Sequence, residues 1–464
     1  MKFIKTICAL GVVMAAANVS SVLAKVSPEE AAKLGKELTP MGSERAGNKD
    51  GSIPEWTGGM KKSDIPKGWK NGDNWADPYG DKPLFTITPA NVGQYGDKLT
   101  DGQKAMFKRY PDTFKMNIYK TQRSVQIEKS EAEDAKYSAL NAVLTEEGQN
   151  LSGHRGGIPF PIPKLAQEVI LNHTLRSRGS NSWWRNYIQV TPMVNGDFTP
   201  VELYEEYSRV NMLLDADKVR DTNGFQYFKQ VVTSPARLSG NVLLAHETLN
   251  QVKEPRRAWV YNAGQRRVRL APQVAYDGPG TAADGLRTTD NFDMYNGATD
   301  RYNWKLLGKK EIYIPYSSYR LEDKSLKYTD IVKAGHLNQD YPRYELHRVW
   351  VVEGTLKEGQ RHIYAKRVFF VDEDSWFITL ADHYDGRGTL WRVGEGHNFV
   401  RYINDDKKEF AGATMGSVES LYDLLAGRYI TLGLANEIKQ REDQTVRFKS
   451  EDFTPAALRR MGVR

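Results

Sequence analysis

The 464-residue chain has a single cysteine, Cys8, and it lies at the very start. Everything after it is free of thiols, so disulfides, thiolate nucleophiles and cysteine-held zinc are excluded from the body of the chain. Long hydrophobic runs are missing too. After Ala24 no stretch approaches the roughly 18 consecutive apolar residues of a membrane helix, so no span is expected. Histidine is scarce, eight in all, and no two have the spacing of a local metal site. No metal, cofactor or catalytic residue is therefore assigned. There is no G-x-S-x-G elbow, no phosphate loop and no dinucleotide fingerprint. Charge of one sign is also in short supply. The formal net charge is +7, and setting Lys2 and Lys5 aside leaves +5. No Lys/Arg block accompanies it, so nucleic acid is not indicated as a partner.

What is present begins with an export signal. Lys2 and Lys5 precede an apolar run from Ile7 to Ala17, and Val22-Leu23-Ala24 ends it in the pattern a signal peptidase reads. Residues 1–24 are expected to be cleaved, which addresses the mature chain to the cell envelope. The run is too short to anchor the chain, and no cysteine stands at the cut to take a lipid. Aromatics are plentiful, with 10 Trp, 24 Tyr and 16 Phe, yet the mean hydropathy is polar. That combination suggests a large sheet with one face covered and the other wet.

Along the chain, Ser27-Pro28-Glu29-Glu30 has the form of a capped helix start. From Gly42 to Pro89 the pattern is irregular, rich in Gly, Pro, Asn and Asp, and is expected to be pinned to the main body by Trp56, Trp69 and Trp75. Asn48 to Gly51 has part of a calcium-loop pattern but lacks its acidic ends, so a turn held by Asn and Asp side chains is the better reading. Helices are expected at Asp101–Tyr110, Ser130–Leu144 and Lys164–Arg176. After about Trp183 the pattern alternates. Arg256–Tyr261 and Arg266–Leu270 form a hairpin, and Glu311–Tyr316 is a further strand. Tyr344–Glu353, Arg361–Asp372, Trp376–Tyr384 and Thr389–Val393 form an antiparallel meander. Helices are expected again at Met415–Leu434 and Ala456–Met461.

Two sets of residues are candidates for function. Trp259, Tyr261, Trp304, Tyr313, Trp350, Phe369, Trp376 and Trp391 lie on strand patterns. They read either as core or as the wall of an apolar ligand cavity inside a curved sheet. Arg266, Arg267 and Arg269 are the dense part of the basic hairpin. They read either as a solvated strand face or as a contact for an anionic head group or an acidic partner.

Several segments carry a resemblance. They include Gly47 to Gly59 (GNKDGSIPEWTGG), Phe160 to Lys164 (FPIPK), the hairpin Trp259–Tyr261 to Arg266–Arg269, Phe292 to Gly297 (FDMYNG), Val371 to Trp376 (VDEDSW) and Thr454 to Arg460 (TPAALRR). Over nearly its full mature length the chain resembles a proteobacterial family known as a domain of unknown function and grouped with the LolA/LolB-like lipoprotein carriers. The resemblance implies an α+β, β-rich fold: a large curved antiparallel sheet, a half-barrel, wrapped around helices with an apolar hollow. The expected division is a signal peptide at 1–24, a helical and irregular segment at 25–180 packed on the sheet, and a LolA-like sheet domain with C-terminal helices at 181–464. It also implies periplasmic residence and association with an outer-membrane β-barrel and an inner-membrane transporter. The expected function is carriage of a hydrophobic, lipid-like molecule. An envelope hydrolase and a structural adaptor to an outer-membrane protein are the alternatives.

Overall fold

A computed structural model describes residues 26–70, 75–145, 148–178, 181–219, 223–402 and 413–462. The expected signal peptide lies outside them. The strands are β1 (Phe85–Ile87), β2 (Met116–Tyr119), β3 (Val143–Thr145), β4 (Asn150–Ser152), β5 (Ser182–Val190), β6 (Val201–Arg209), β7 (Gly224–Ser234), β8 (Val242–Thr248) and β9 (Arg257–Asn262). They continue with β10 (Arg267–Leu270), β11 (Tyr302–Pro315), β12 (Tyr344–Leu356), β13 (Lys366–Asp372), β14 (Ile378–Tyr384), β15 (Leu390–Arg401), β16 (Ala413–Asp423), β17 (Arg428–Leu434) and β18 (Glu442–Asp443). The helices are α1 (Pro28–Ala31), α2 (Asp101–Arg109), α3 (Lys129–Asn141), α4 (Ala166–Leu175), α5 (Tyr328–Ile331) and α6 (Pro455–Gly462).

Sixteen of the strands make one open sheet, in the order β1-β2-β12-β13-β14-β15-β16-β17-β5-β6-β7-β8-β9-β10, with β11 on β12 and β18 on β5. All its pairs are antiparallel except β2 with β12, where Ile118 and Tyr119 run parallel to Tyr344 and Glu345. Short polar turns force neighbours in sequence to be neighbours in space. A long return brings β17 beside β5, with Thr431 opposite Val190, and another sets β12 beside β2. The protein is therefore α+β and β-rich, built on a single large sheet.

The expected helix at Met415–Leu434 is instead two strands, β16 and β17, paired from Glu419↔Leu432 to Asp423↔Arg428. Its apolar residues satisfy a helical period, but Val418, Tyr422, Tyr429, Ile430, Leu432 and Leu434 are all buried. A strand covered on both faces loses the alternation that would reveal it.

The expected wet face is also covered. On β12, Glu345 and His347 are as buried as Leu346. Residues alternate between faces along a strand, and both sides of β12 are occupied. Val349 and Val351 pack in a cluster with Met60, Trp69 and Val125 of the N-terminal segment. Trp350 and Val352 pack with Val169 and Ile170 of α4. The N-terminal segment is fastened by polar contacts. Trp56 Nε1 donates to Val125 O at 2.9 Å, and Trp75 Nε1 donates to Tyr402 O at 3.2 Å. Trp69 meets the Tyr402 ring edge-on at 4.7 Å. The turn at Asn48 closes through Ile53 N donating to Asn48 Oδ1 at 2.9 Å and Ser52 N to Asp50 Oδ1 at 3.0 Å.

Candidate functional site

The eight aromatic candidates do not line one hollow. Trp304, Trp350, Phe369 and Trp376 share a cluster with α4 and with Met294 and Tyr295. The cluster is tightly filled: Phe369 and Trp376 have no exposed surface, and Trp376 Nε1 donates to Met41 O at 3.1 Å. Tyr313 belongs to a different cluster, against Phe85 and Tyr95. Trp391 donates to Asp423 Oδ2 at 2.9 Å and has the Arg392 guanidinium over its ring. Trp259 and Tyr261 pack against the C-terminal tail through Phe448, Phe453 and Leu458. Aromatic rings supply large contact areas, and here seven of the eight spend them in hydrophobic clusters, while Trp391 is half-buried against Arg392. Arg266, Arg267 and Arg269 are exposed on the hairpin that ends the sheet, whose Val268 packs with Trp259 and Tyr261.

The open space lies on the other side of β5–β8. Trp183, Tyr207, Phe228 and Ala245 are successive register partners across β5, β6, β7 and β8. They form a ladder on one face, with the Trp183 and Tyr207 rings stacked at 5.0 Å. Trp259 pairs with Leu244, one residue from Ala245, so Trp259 and Tyr261 occupy the opposite face. Over the ladder lies the segment 272–300, here called the cap. Between ladder and cap is a cavity of about 50 Å³, whose walls include Trp183, Tyr207, Phe228, Leu243, Arg287 and Phe292. Smaller cavities of about 40, 30 and 10 Å³ adjoin it, sharing Asn296, Phe292 and Arg287 respectively as lining. The largest holds a few waters or a short hydrocarbon piece, well short of the ~150 Å³ that takes a benzene.

The cap is held by buried ion pairs. Arg367 donates to Asp290 Oδ2 at 2.7 Å and Oδ1 at 3.1 Å, and His362 Nε2 lies 3.0 Å from the same carboxylate. Arg176 and Arg178 converge on Asp293 at 2.7 and 2.6 Å. Burial raises the pKa of both carboxyls, but Arg367 with His362, and Arg176 with Arg178, outweigh it and hold both well below the ordinary range. Arg256 binds the carbonyls of Asn296 and Val274, and Gln189 donates to those of Thr281 and Ala282 at 2.9 and 2.8 Å. Asp293 and Met294 both have left-handed backbone, φ +53° and +64°. Such conformations strain non-glycine residues and persist only where surroundings over-determine them. They turn Met294 onto β15 beside Gly396, where a Cβ would stand 3.0 Å from Met294 Cγ and 2.7 Å from the Phe377 ring.

A second buried group sits on the far face, beside the N-terminal segment. His347 Nε2 lies 3.1 Å from Glu345 Oε2, and its Nδ1 faces Asp372 at 3.8 Å. His347, Asp372 and Asp374 bring ligating atoms within 4.8 Å of one another, a spacing that a cation could bridge. Most acceptors there are engaged by cations and donors of the chain, while Asp372 Oδ1 has no hydrogen-bond partner. Arg123 makes a two-pronged bond to Asp374, at 2.9 and 2.6 Å. Ser375 Oγ donates to Asp372 at 2.5 Å, and not to an imidazole, so it is not an activated nucleophile. Burial pushes Asp372 up to about 6. Sequence spacing gives no sign of this group, because register alone brings β12 and β13 together.

Comparison with known proteins decides the family. The model of a family described as "Protein of unknown function (DUF1329)" matches residues 86–459. This chain belongs to that family. An uncharacterized protein from Pseudomonas aeruginosa is 56% identical over 466 residues, covering all of both chains. Among solved structures, the DUF1329 chain is similar to a putative outer membrane lipoprotein-sorting protein domain from Vibrio parahaemolyticus, at 13% identity and a TM-score of 0.42, over 64% of this chain and 98% of that one. It is similar to a DUF1329 family protein from Desulfovibrio piger at 14% identity and a TM-score of 0.39, over 60% and 92%. A LolA superfamily protein from Nitrosomonas europaea matches at 12% identity and a TM-score of 0.37, over 63% and 98%. Among the described residues no helix is long and apolar enough to cross a membrane.

Proposed function

We propose that this DUF1329 chain is a periplasmic carrier that takes a hydrophobic, lipid-like molecule between the β5–β8 ladder and the cap. One observation carries the reading: an aromatic wall and a separately fastened cover enclose adjoining cavities, in a molecule whose other aromatic clusters are filled. The closed gap admits only a small group, so loading a longer chain displaces part of the cap. The bonds from Arg256 and Gln189 to cap carbonyls are the ones to give way, since a neutral acceptor holds less firmly than a buried carboxylate. The Asp290 and Asp293 pairs then act as the hinge posts. Each methylene brought out of water contributes about 0.8 kcal/mol, enough for a chain of ordinary length to offset those bonds without covalent chemistry. The exported chain would receive its cargo from an inner-membrane transporter and pass it to an outer-membrane β-barrel. The exposed Arg266, Arg267 and Arg269 hairpin is suited to an acidic docking surface on either.

Organic extraction of protein purified from the envelope, read by mass spectrometry, tests the carrier role. An apolar molecule present at close to one per chain is expected. No extractable molecule, together with no uptake of an apolar fluorescent probe by the emptied protein, overturns it. Pull-down from envelope extract with wild type and an Arg266→Glu/Arg267→Glu variant tests the docking hairpin, whose partners should be lost in the variant.

A further inference from the structure

Arg287 stands out among the buried arginines of the cap region. Arg176, Arg178, Arg256 and Arg367 each reach a carboxylate within 2.7 Å. Arg287 is 5% exposed, yet its Nε and Nη1 have no hydrogen-bond partner. Among the described residues it has no carboxylate oxygen within 4 Å, although it lines both the cavity of about 50 Å³ and that of about 10 Å³. A buried guanidinium without a partner is costly, and native structures rarely leave one so. The acids near it are otherwise committed. Glu247, also on the cavity wall, is paired with Arg256 at 2.6 Å. Glu419 shares the smaller cavity's wall with Arg287 but stays beyond 4 Å of it, and its Oε2 accepts from Met294 N at 3.3 Å.

The rest of the cavity wall suits the remainder of an amphiphile. The Phe228 and Phe292 rings touch at the edge of the cavity, tilted with centroids 5.2 Å apart, and Trp183 and Leu243 complete an apolar surround. A planar fork of donors set in apolar walls matches an oxyanion attached to a hydrocarbon. Gly280 leaves the guanidinium its space: a Cβ there would stand 3.2 Å from Arg287 Nε.

We infer that the cargo is an anionic amphiphile, carrying a carboxylate or phosphate head, and that Arg287 is its head-group receptor. This rests on the carrier reading above and replaces the exposed hairpin as the place where a head group is held.

The test uses full-length mature protein stripped of bound molecules, with decanoate, decyl phosphate and decanol as probes in calorimetric titrations at pH 7.5. Decanoate, decyl phosphate or both should bind at least tenfold more tightly than decanol, and which of them does so identifies the head group. Arg287→Gln should remove that preference, bringing the three probes to within about threefold of one another. Arg287→Lys, which keeps the charge but not the fork, should retain part of it. Equal binding of all three probes by wild type overturns the head-group assignment and leaves the carrier role standing. Binding of none removes both. The wild-type comparison needs no variant, so it stands even if Arg287→Gln misfolds.

Discussion

Two aromatic regions on one face of the sheet are made of the same material and end in opposite states. Trp304, Trp350, Phe369 and Trp376 on β11–β13 and the turn that follows are covered by α4 and by Tyr295 and Met294, whose side chains interlock with them. Trp183, Tyr207 and Phe228 on β5–β7 are covered by an irregular stretch that includes Gly280 and Thr281, and space remains. The difference is in the cover and not in the strands. A helix presents a regular set of ridges that fill a sheet's grooves, whereas a loop held by ion pairs at a few points bridges what lies beneath it.

Breaking one of those points should have the largest effect. Asp293→Ala strands Arg176 and Arg178 in the interior and should destabilise the fold by about 3–5 kcal/mol in chemical denaturation. Phe369→Ala, in the filled cluster, should cost about 3–5 kcal/mol. The matching change Phe228→Ala should cost less, about 2 kcal/mol, because that ring already faces a gap on one side. Adding volume sharpens the contrast from the other direction. Ala381→Leu overpacks the filled cluster and should cost about 1–3 kcal/mol. Ala245→Leu should be near neutral for stability and should block uptake of an apolar probe. An equal penalty for both leucines would show that the two regions do not differ as described.

The smallest effect concerns pH. Burial pushes Asp382 up to about 7, on the filled side of the molecule where its carboxylate accepts from Gly102 N at 3.1 Å. Its folded pKa lies above the unfolded one, so its contribution is fully present below about pH 4 and is lost as pH rises through 7. Asp382→Asn should therefore flatten the fall in stability between those limits. Denaturation midpoints at pH 5 and pH 8, compared with wild type, read this out. Asp290 and Asp293 have the opposite sign: their contribution is present above the unfolded carboxylate range and is lost only in strong acid.

Much of the architecture was legible. Helices α2, α3, α4 and α6 and the strands from Tyr344 to Val393 carry the period and turn chemistry that define them. Ser27 and Glu30 form the capping box their spacing suggests. Strands β16 and β17 were misread because burial on both sides erases alternation. The site was less legible for a different reason. Aromatic content marks places where much surface is buried, and that is equally true of a filled cluster and a cavity wall. Trp183, Tyr207 and Phe228 meet only through strand register, which the sequence does not display. Arg287 could not be told from other arginines until the carboxylates committed elsewhere were known. The motif Phe292 to Gly297 was visible as a string, but its role, a strained turn bolted by Asp293 to two arginines, depends on residues more than a hundred positions away.

The central claim is that cargo enters between the β5–β8 ladder and the cap. Photolabelling with a decyl diazirine probe, followed by peptide mapping, tests it most directly. Adducts are expected on Phe228, Leu243 and Phe292, and Ala245→Leu should abolish them. Adducts concentrated on Trp304, Trp350 and Phe369, or none at all, would contradict the account.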